Sequence, residues 1–110
     1  MQHKDSITTS DDGSVMTVRL TGEVDATLRR EAARALAAVR SSKLPVVVDL
    51  SAVSFIDSTG VGLLLQCHKA CLGRGMACTL RGTPPRVERV LTVLGLLDVL
   101  HLGKRATTAS

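Results

Sequence analysis

The run Asp57-Ser58-Thr59-Gly60-Val61-Gly62 places two hydroxyls, a carboxylate and two glycines within less than two helical turns. Short polar residues ahead of an apolar helical stripe mark a helix N-terminus, where free N–H groups and the helix dipole favour anions. Ser58 stands where an N-cap would stand, so capping alone, accepting a backbone N–H bond, accounts for it. Gly60 and Gly62 in a first turn cost about 1 kcal/mol each relative to alanine, which makes sense where something must approach the backbone closely. Other chemistries fit poorly. Gly60-Val61-Gly62 lacks the third glycine of a dinucleotide fingerprint, and there is no Gly-Lys-Ser/Thr phosphate loop. No Gly-x-Ser-x-Gly elbow surrounds Ser58. His3 lies in the N-terminal segment, His68 on an inward helix face and His101 in a final strand, so a Ser-His hydrolase is not expected. Cys67, His68, Cys71 and Cys78 invite a zinc reading, but His68 faces the core and Cys78 lies in a strand. Buried or half-buried thiols account for them, and no metal is expected.

The elements that must hold these residues follow from periodicity. Ile7 suggests a short edge strand, and Asp11-Asp12-Gly13 a turn. Met16, Val18 and Leu20 alternate with polar residues as in a half-buried strand, which Gly22-Glu23-Val24-Asp25 breaks. Leu28, Ala32, Ala35, Leu36 and Val39 then form a helical stripe, with Asp25 or Thr27 as N-cap. Arg29, Arg30 and Arg34 read as a solvated helix face. Val46–Leu50, after Pro45, reads as an interior strand apolar on both faces. The second helix runs from Ser58 to Leu72-Gly73. At about 100° per residue, Val61, Leu64, Leu65, His68 and Leu72 share its core face. Thr59, Gly62, Leu63, Gln66 and Ala70 lie opposite, which predicts an exposed low-relief patch beside Ser58. Met76–Leu80 is a third apolar strand. Thr83-Pro84-Pro85 starts a helix with Thr83 as cap, and Val87, Val90, Leu91 and Leu94 form its stripe. Val99–Leu102 reads as a last strand and Gly103–Ser110 as a disordered tail. Strands alternating with helices give an α/β domain: a mixed β-sheet with helices packed mainly on one face.

Length and composition agree. The chain has 110 residues, 45% of them hydrophobic, enough for one domain and one core. No apolar run approaches the ~18 residues of a membrane span, and the polar start is unlike a signal peptide. Three cysteines are an odd number for a disulfide framework, which points to a reducing cytoplasm. The net charge of +4 raises the question of nucleic acid, but Lys and Arg are interleaved with acids and Phe55 is the only aromatic residue. Base-stacking platforms are therefore excluded, and no direct nucleic-acid partner is expected.

Asp57-Ser58-Thr59-Gly60-Val61-Gly62, following Val46–Leu50 and Phe55-Ile56, resembles the signature of bacterial anti-sigma-factor antagonists, single-domain members of the STAS family. Leu20-Thr21-Gly22-Glu23-Val24-Asp25 is similar to that family's Gly-Glu-Leu-Asp turn. Arg74-Gly75-Met76, Thr83-Pro84-Pro85-Arg86-Val87 and Leu94-Gly95-Leu96 match in register. The resemblance spans residues 6–102 of a single domain, 1–110. Val24 and Val61 stand where Leu is usual, and Thr59 where many members have Ser; none of these removes a functional group. The resemblance implies a non-enzymatic regulator without cofactors. Ser58 would be the phosphorylated serine, with Asp25, Asp57, Thr59 and Gly60 beside it and Gly62, Leu63 and Gln66 at the partner interface. The implied partners are an anti-sigma factor that is also a serine kinase, and a serine phosphatase. Two alternatives stay open: an STAS adaptor subunit of a lipid-transport ATPase complex, and a small nucleotide-binding α/β protein.

Overall fold

The structure, a computed structural model, describes residues 5–100. Strand β1 (Ser6–Asp11) turns at Asp12, whose carboxylate accepts from the Ser14 and Val15 N–H groups at 2.8 and 2.9 Å, into strand β2 (Met16–Val24). A 3-10 turn (Ala26–Leu28) leads into helix α1 (Arg29–Ser41). Strand β3 (Val46–Ile56), helix α2 (Ser58–Leu72), strand β4 (Cys78–Arg81) and helix α3 (Pro85–Val93) follow. Among the described residues the sheet has the order β1-β2-β3-β4, antiparallel between β1 and β2 and parallel across the other two pairs. The mixed sheet and the interior position of Val46–Leu50 are as the sequence predicts.

One face of the sheet is buried. Ile7, Met16, Val18, Leu20, Val46, Val48, Leu50, Cys78 and Leu80 join Ala32, Ala35 and Val39 of α1, Leu64 and Cys67 of α2, and Val87 and Leu91 of α3 in a single core. Because side chains alternate along a strand, the other face carries Thr17, Arg19, Val47, Asp49, Thr79 and Arg81. β3 is thus not apolar on both faces: Val47 is half-buried, and Asp49 is a buried carboxylate at 5% exposure. Its Oδ2 pairs with Arg19 at 3.1 Å and Arg81 at 3.2 Å, while Oδ1 accepts from the Ser51 N–H and hydroxyl. Those partners replace a covering layer.

Four boundaries differ from the sequence expectations. β2 does not break at Gly22; it continues to Val24 through register shifts, with Gly22 at φ +77°, where a Cβ would run into the Asp5 carboxylate. That bulge keeps β3 paired as far as Ile56. β4 starts at Cys78 rather than Met76. Pro85 is the first residue of α3 as expected, but Pro84 occupies the N-cap and no side chain caps it, so Thr83 is displaced. Residues 97–100 are helical, not a strand: the Leu100 N–H donates to the Leu96 carbonyl at 3.0 Å, and Leu100 fills the core. His101, Leu102 and the 103–110 tail lie outside the described residues.

The Ser51 backbone N–H, followed by the Ser51 hydroxyl and the Arg81 guanidinium, holds the Asp49 carboxyl at about 2, below its ordinary 3.8. A lowered folded-state value stabilises above pH ~3.8 and is lost as pH falls toward 2. Wild-type protein is expected to exceed Asp49→Asn by about 1 kcal/mol at pH 7, allowing for the solvent around both arginines. The gap should close between pH 4 and pH 2, read from urea midpoints at each pH.

Candidate functional site

The turn from β3 into α2 is set by Asp57. Its N–H donates to the Val24 carbonyl at 3.1 Å, carrying the β2–β3 pairing one residue beyond the strand. Its side chain, from extended backbone, accepts the Thr59 N–H at 2.8 Å. Asp57 is therefore the N-cap, and Ser58 is the first residue of the helix, not its cap. Both residue types cap well; the backbone conformation at 57 chooses between them. Ser58 is exposed, and its hydroxyl has no part in the cap. Asp25 plays the matching role one element earlier, accepting from the Thr27 hydroxyl at 2.6 Å and the Thr27 N–H at 3.0 Å. Those two bonds, the hydroxyl's first, keep its carboxyl below the usual range.

The two glycines have different reasons. A Cβ on Gly60 would collide with Ile56 Cγ1 and stand 2.9 Å from Val24 Cγ1, so only glycine lets α2 start this close to the sheet. A Cβ on Gly62 would meet nothing within 4 Å. Packing does not call for glycine there.

Gly62 opens into a groove of about 350 Å³ between α1 and α2, lined by Arg29, Ala32, Ala33, Leu36, Ser58, Thr59, Gly62, Leu63 and Gln66. The structure brings Ser58, Thr59, Gly62, Leu63 and Gln66 together on it. The expected exposure of Leu63 is overturned: it is 4% exposed. α2 packs on two sides, the sheet and α1, so a residue pointing away from the sheet can be buried against the neighbouring helix. Leu63 forms the groove's floor. Gln66 is exposed and accepts from Arg40 Nη2 at 3.5 Å. Leu72, expected on the core face, is 60% exposed at the end of the helix. The α1 wall is not legible in the sequence pattern, where Arg29 reads as solvated surface; a cation in a helix's first turn, against the dipole, is the signal that marks it.

His68 and the three cysteines are buried. Among the described residues no group of three or more His, Cys, Asp or Glu is arranged to hold a metal ion. Burial pushes the Cys67 thiol up to about 12. The hydrogen bond between Cys78 and Cys71 raises Cys78 further and lowers Cys71. His3 and His101 lie outside the described residues. No described helix is long and apolar enough to cross a membrane.

Compared with known proteins, residues 6–109 match the STAS domain. The anti-sigma-B factor antagonist of Staphylococcus aureus (strain NCTC 8325 / PS 47) is 30% identical over 88 residues, 79% of this chain and 82% of that protein. The crystal structure of an anti-sigma factor antagonist from Mycobacterium paratuberculosis is 31% identical with a TM-score of 0.68, covering 91% of this chain and 87% of the other. The anti-sigma factor antagonist SpoIIAA shares the fold in its unphosphorylated form, with a TM-score of 0.73 at 23% identity and 84% of each chain covered. Its phosphorylated form, from Bacillus, gives 0.68 at 22% identity, covering 83% of this chain and 85% of the other.

Two pairs of substitutions test this geometry by urea unfolding. Gly60→Ala should destabilise by about 1–3 kcal/mol through overpacking, whereas Gly62→Ala should stabilise by up to about 1 kcal/mol. Asp57→Ala should cost about 1 kcal/mol as a lost cap, and Ser58→Ala should stay within about 0.5 kcal/mol of wild type.

Proposed function

The chain belongs to the STAS domain family, and from that premise we propose that it is an anti-sigma-factor antagonist switched by phosphorylation of Ser58. The observation that carries this reading is the Ser58 hydroxyl itself: exposed, relieved of capping by Asp57, and set at the mouth of the α1–α2 groove. In the unphosphorylated state the protein docks an anti-sigma factor over Ser58, Thr59, Gly62 and Gln66, with Leu63 as the floor, and so frees a sigma factor. Gly62 supports a docking role, because the fold gives no packing reason to forgo a side chain there.

The partner is also a serine kinase. It transfers the γ-phosphoryl group of ATP to Ser58 Oγ; ADP leaves, and a base of the kinase takes the hydroxyl proton. A serine phosphatase then delivers water to the phosphorus, restoring the hydroxyl and releasing inorganic phosphate. The antagonist is the substrate of both enzymes and works in the cytoplasm without a cofactor. A phosphate adds about −1.5 to −2 charges and three acceptor oxygens. Its own helix tolerates it, since an N-terminus favours an anion. The partner does not: the same charge, beside Asp57 and near Asp25, repels acidic groups and blocks close packing. The switch is electrostatic and steric, with little refolding. SpoIIAA, whose fold this chain shares, is known in both an unphosphorylated and a phosphorylated form.

The test pairs the protein with the kinase-fold anti-sigma factors of its own genome and ATP, followed by mass spectrometry and binding measurements. One partner should bind the wild type and place a single phosphoryl group on Ser58. Ser58→Ala should keep binding and take up no phosphate. Ser58→Asp should bind more weakly than wild type but more tightly than the phosphoprotein, because a carboxylate brings a single charge. Phosphate on Thr59, incorporation into Ser58→Ala at the wild-type rate, or ATP turnover by the chain alone would overturn the proposal.

A further inference from the structure

Arg29 is the first residue of α1, and it lines the same groove as Ser58. Its own helix gives no reason for it. A cation in the first turn opposes the helix dipole, and Arg29 forms no ion pair among the described residues. Glu31, the acid of that turn, is engaged elsewhere: its Oε1 accepts the Ile7 N–H at 3.0 Å. Arg29 borders a neighbouring surface together with Arg30 and Arg34, but of the three it alone also lines the groove that holds Ser58.

A phosphate on Ser58 would meet a particular set of charges. Asp57 precedes it on the chain, and Asp25 caps the turn that leads to Arg29. The strands packed beneath the start of α2 contribute Val24 and Ile56, which carry no charge. Arg29 is the cation among the residues lining the phosphate's groove. Its planar guanidinium matches two phosphate oxygens at once, which an ammonium cannot do.

We propose that Arg29 is the internal counter-ion of phosphorylated Ser58, reaching across the α1–α2 groove to hold the phosphate. The inference rests on Ser58 being the modified residue. It adds a second consequence to phosphorylation. In the unmodified protein Arg29 is free to meet an acidic group of the partner; in the phosphoprotein it is occupied. One modification therefore adds negative charge and withdraws a positive one from the docking surface. Arg29 is a positioning residue here, acting on the phosphate and not on the transfer.

The experiment installs phosphoserine at position 58 during translation, so that no kinase is needed, and titrates the full chain by phosphorus NMR. The second ionisation of the phosphate should lie about half a pH unit lower in the protein with Arg29 than in Arg29→Ala. Arg30→Ala, with the same charge change one residue away, should titrate within about a tenth of a unit of the parent. Identical titrations with and without Arg29 would overturn the assignment. So would an equal or larger shift in Arg30→Ala, which would mean a diffuse field instead of a contact. Because the phosphate is placed independently of any enzyme, failure of a kinase to modify Ser58 would leave this result standing, and a flat titration would leave the kinase result standing.

Discussion

The geometry of the site depends on where the chain leaves β3. Asp57 uses its N–H to extend the pairing with Val24 and its carboxylate to cap α2, so one residue ends the strand and begins the helix. Both bonds orient the first turn of α2, and together they put Ser58 outside the capping system. Had the serine been the cap, its oxygen would have been spent on a backbone N–H. With aspartate in that place, the hydroxyl one residue on is available for chemistry at no structural loss. Gly60 completes the arrangement, since any side chain there would push the helix start off Ile56 and Val24.

α2 lies between two partners, the sheet and α1. Its buried residues, among them Val61, Leu63, Leu64, Cys67 and His68, are therefore spread more widely around its circumference than a single stripe. The groove beside Ser58 lies along the seam where α1 meets the start of α2. Its α1 side is of mixed character: Ala32, Ala33 and Leu36 are apolar, and Arg29 adds a cation to the same lining. The far face of the sheet solves a different problem. No described helix packs over it, and it holds Asp49, the buried carboxylate among the described residues, with two arginines whose side chains are more than half in water. Helices on one face and ion pairs on the other keep the α1–α2 groove and the sheet's open side apart.

Much of the architecture was legible because it rests on period. The alternation of Met16, Val18 and Leu20, the β-branched run Val46–Val48 and the spacing of Leu28, Ala32, Ala35 and Val39 each admit one element type, and the structure has it. Of the two caps offered for that stripe, Asp25 and Thr27, Asp25 caps the 3-10 turn Ala26–Leu28, while α1 itself starts behind Leu28 with no side-chain cap. The misplaced features are those where local chemistry allows two answers. Asp57 and Ser58 are both good caps. Residues 97–100 are too few to show a period. Thr83 resembles a cap until Pro84 takes the position.

Propensity and periodicity are local and act within a few turns of chain, so the residues alone fix the order of elements as far as α3, the interior place of β3 and the position of Ser58 at the start of a helix; they do not fix the helical turn at 97–100. Only the tertiary structure decided that Leu63 is buried, that Gly62 faces open space while Gly60 does not, and that Arg29 shares a groove with Ser58. Each of those depends on the approach of α1 to α2, two elements separated by the whole of β3. A helical wheel shows which side of a helix a residue occupies, but what covers that side is set by residues elsewhere in the chain.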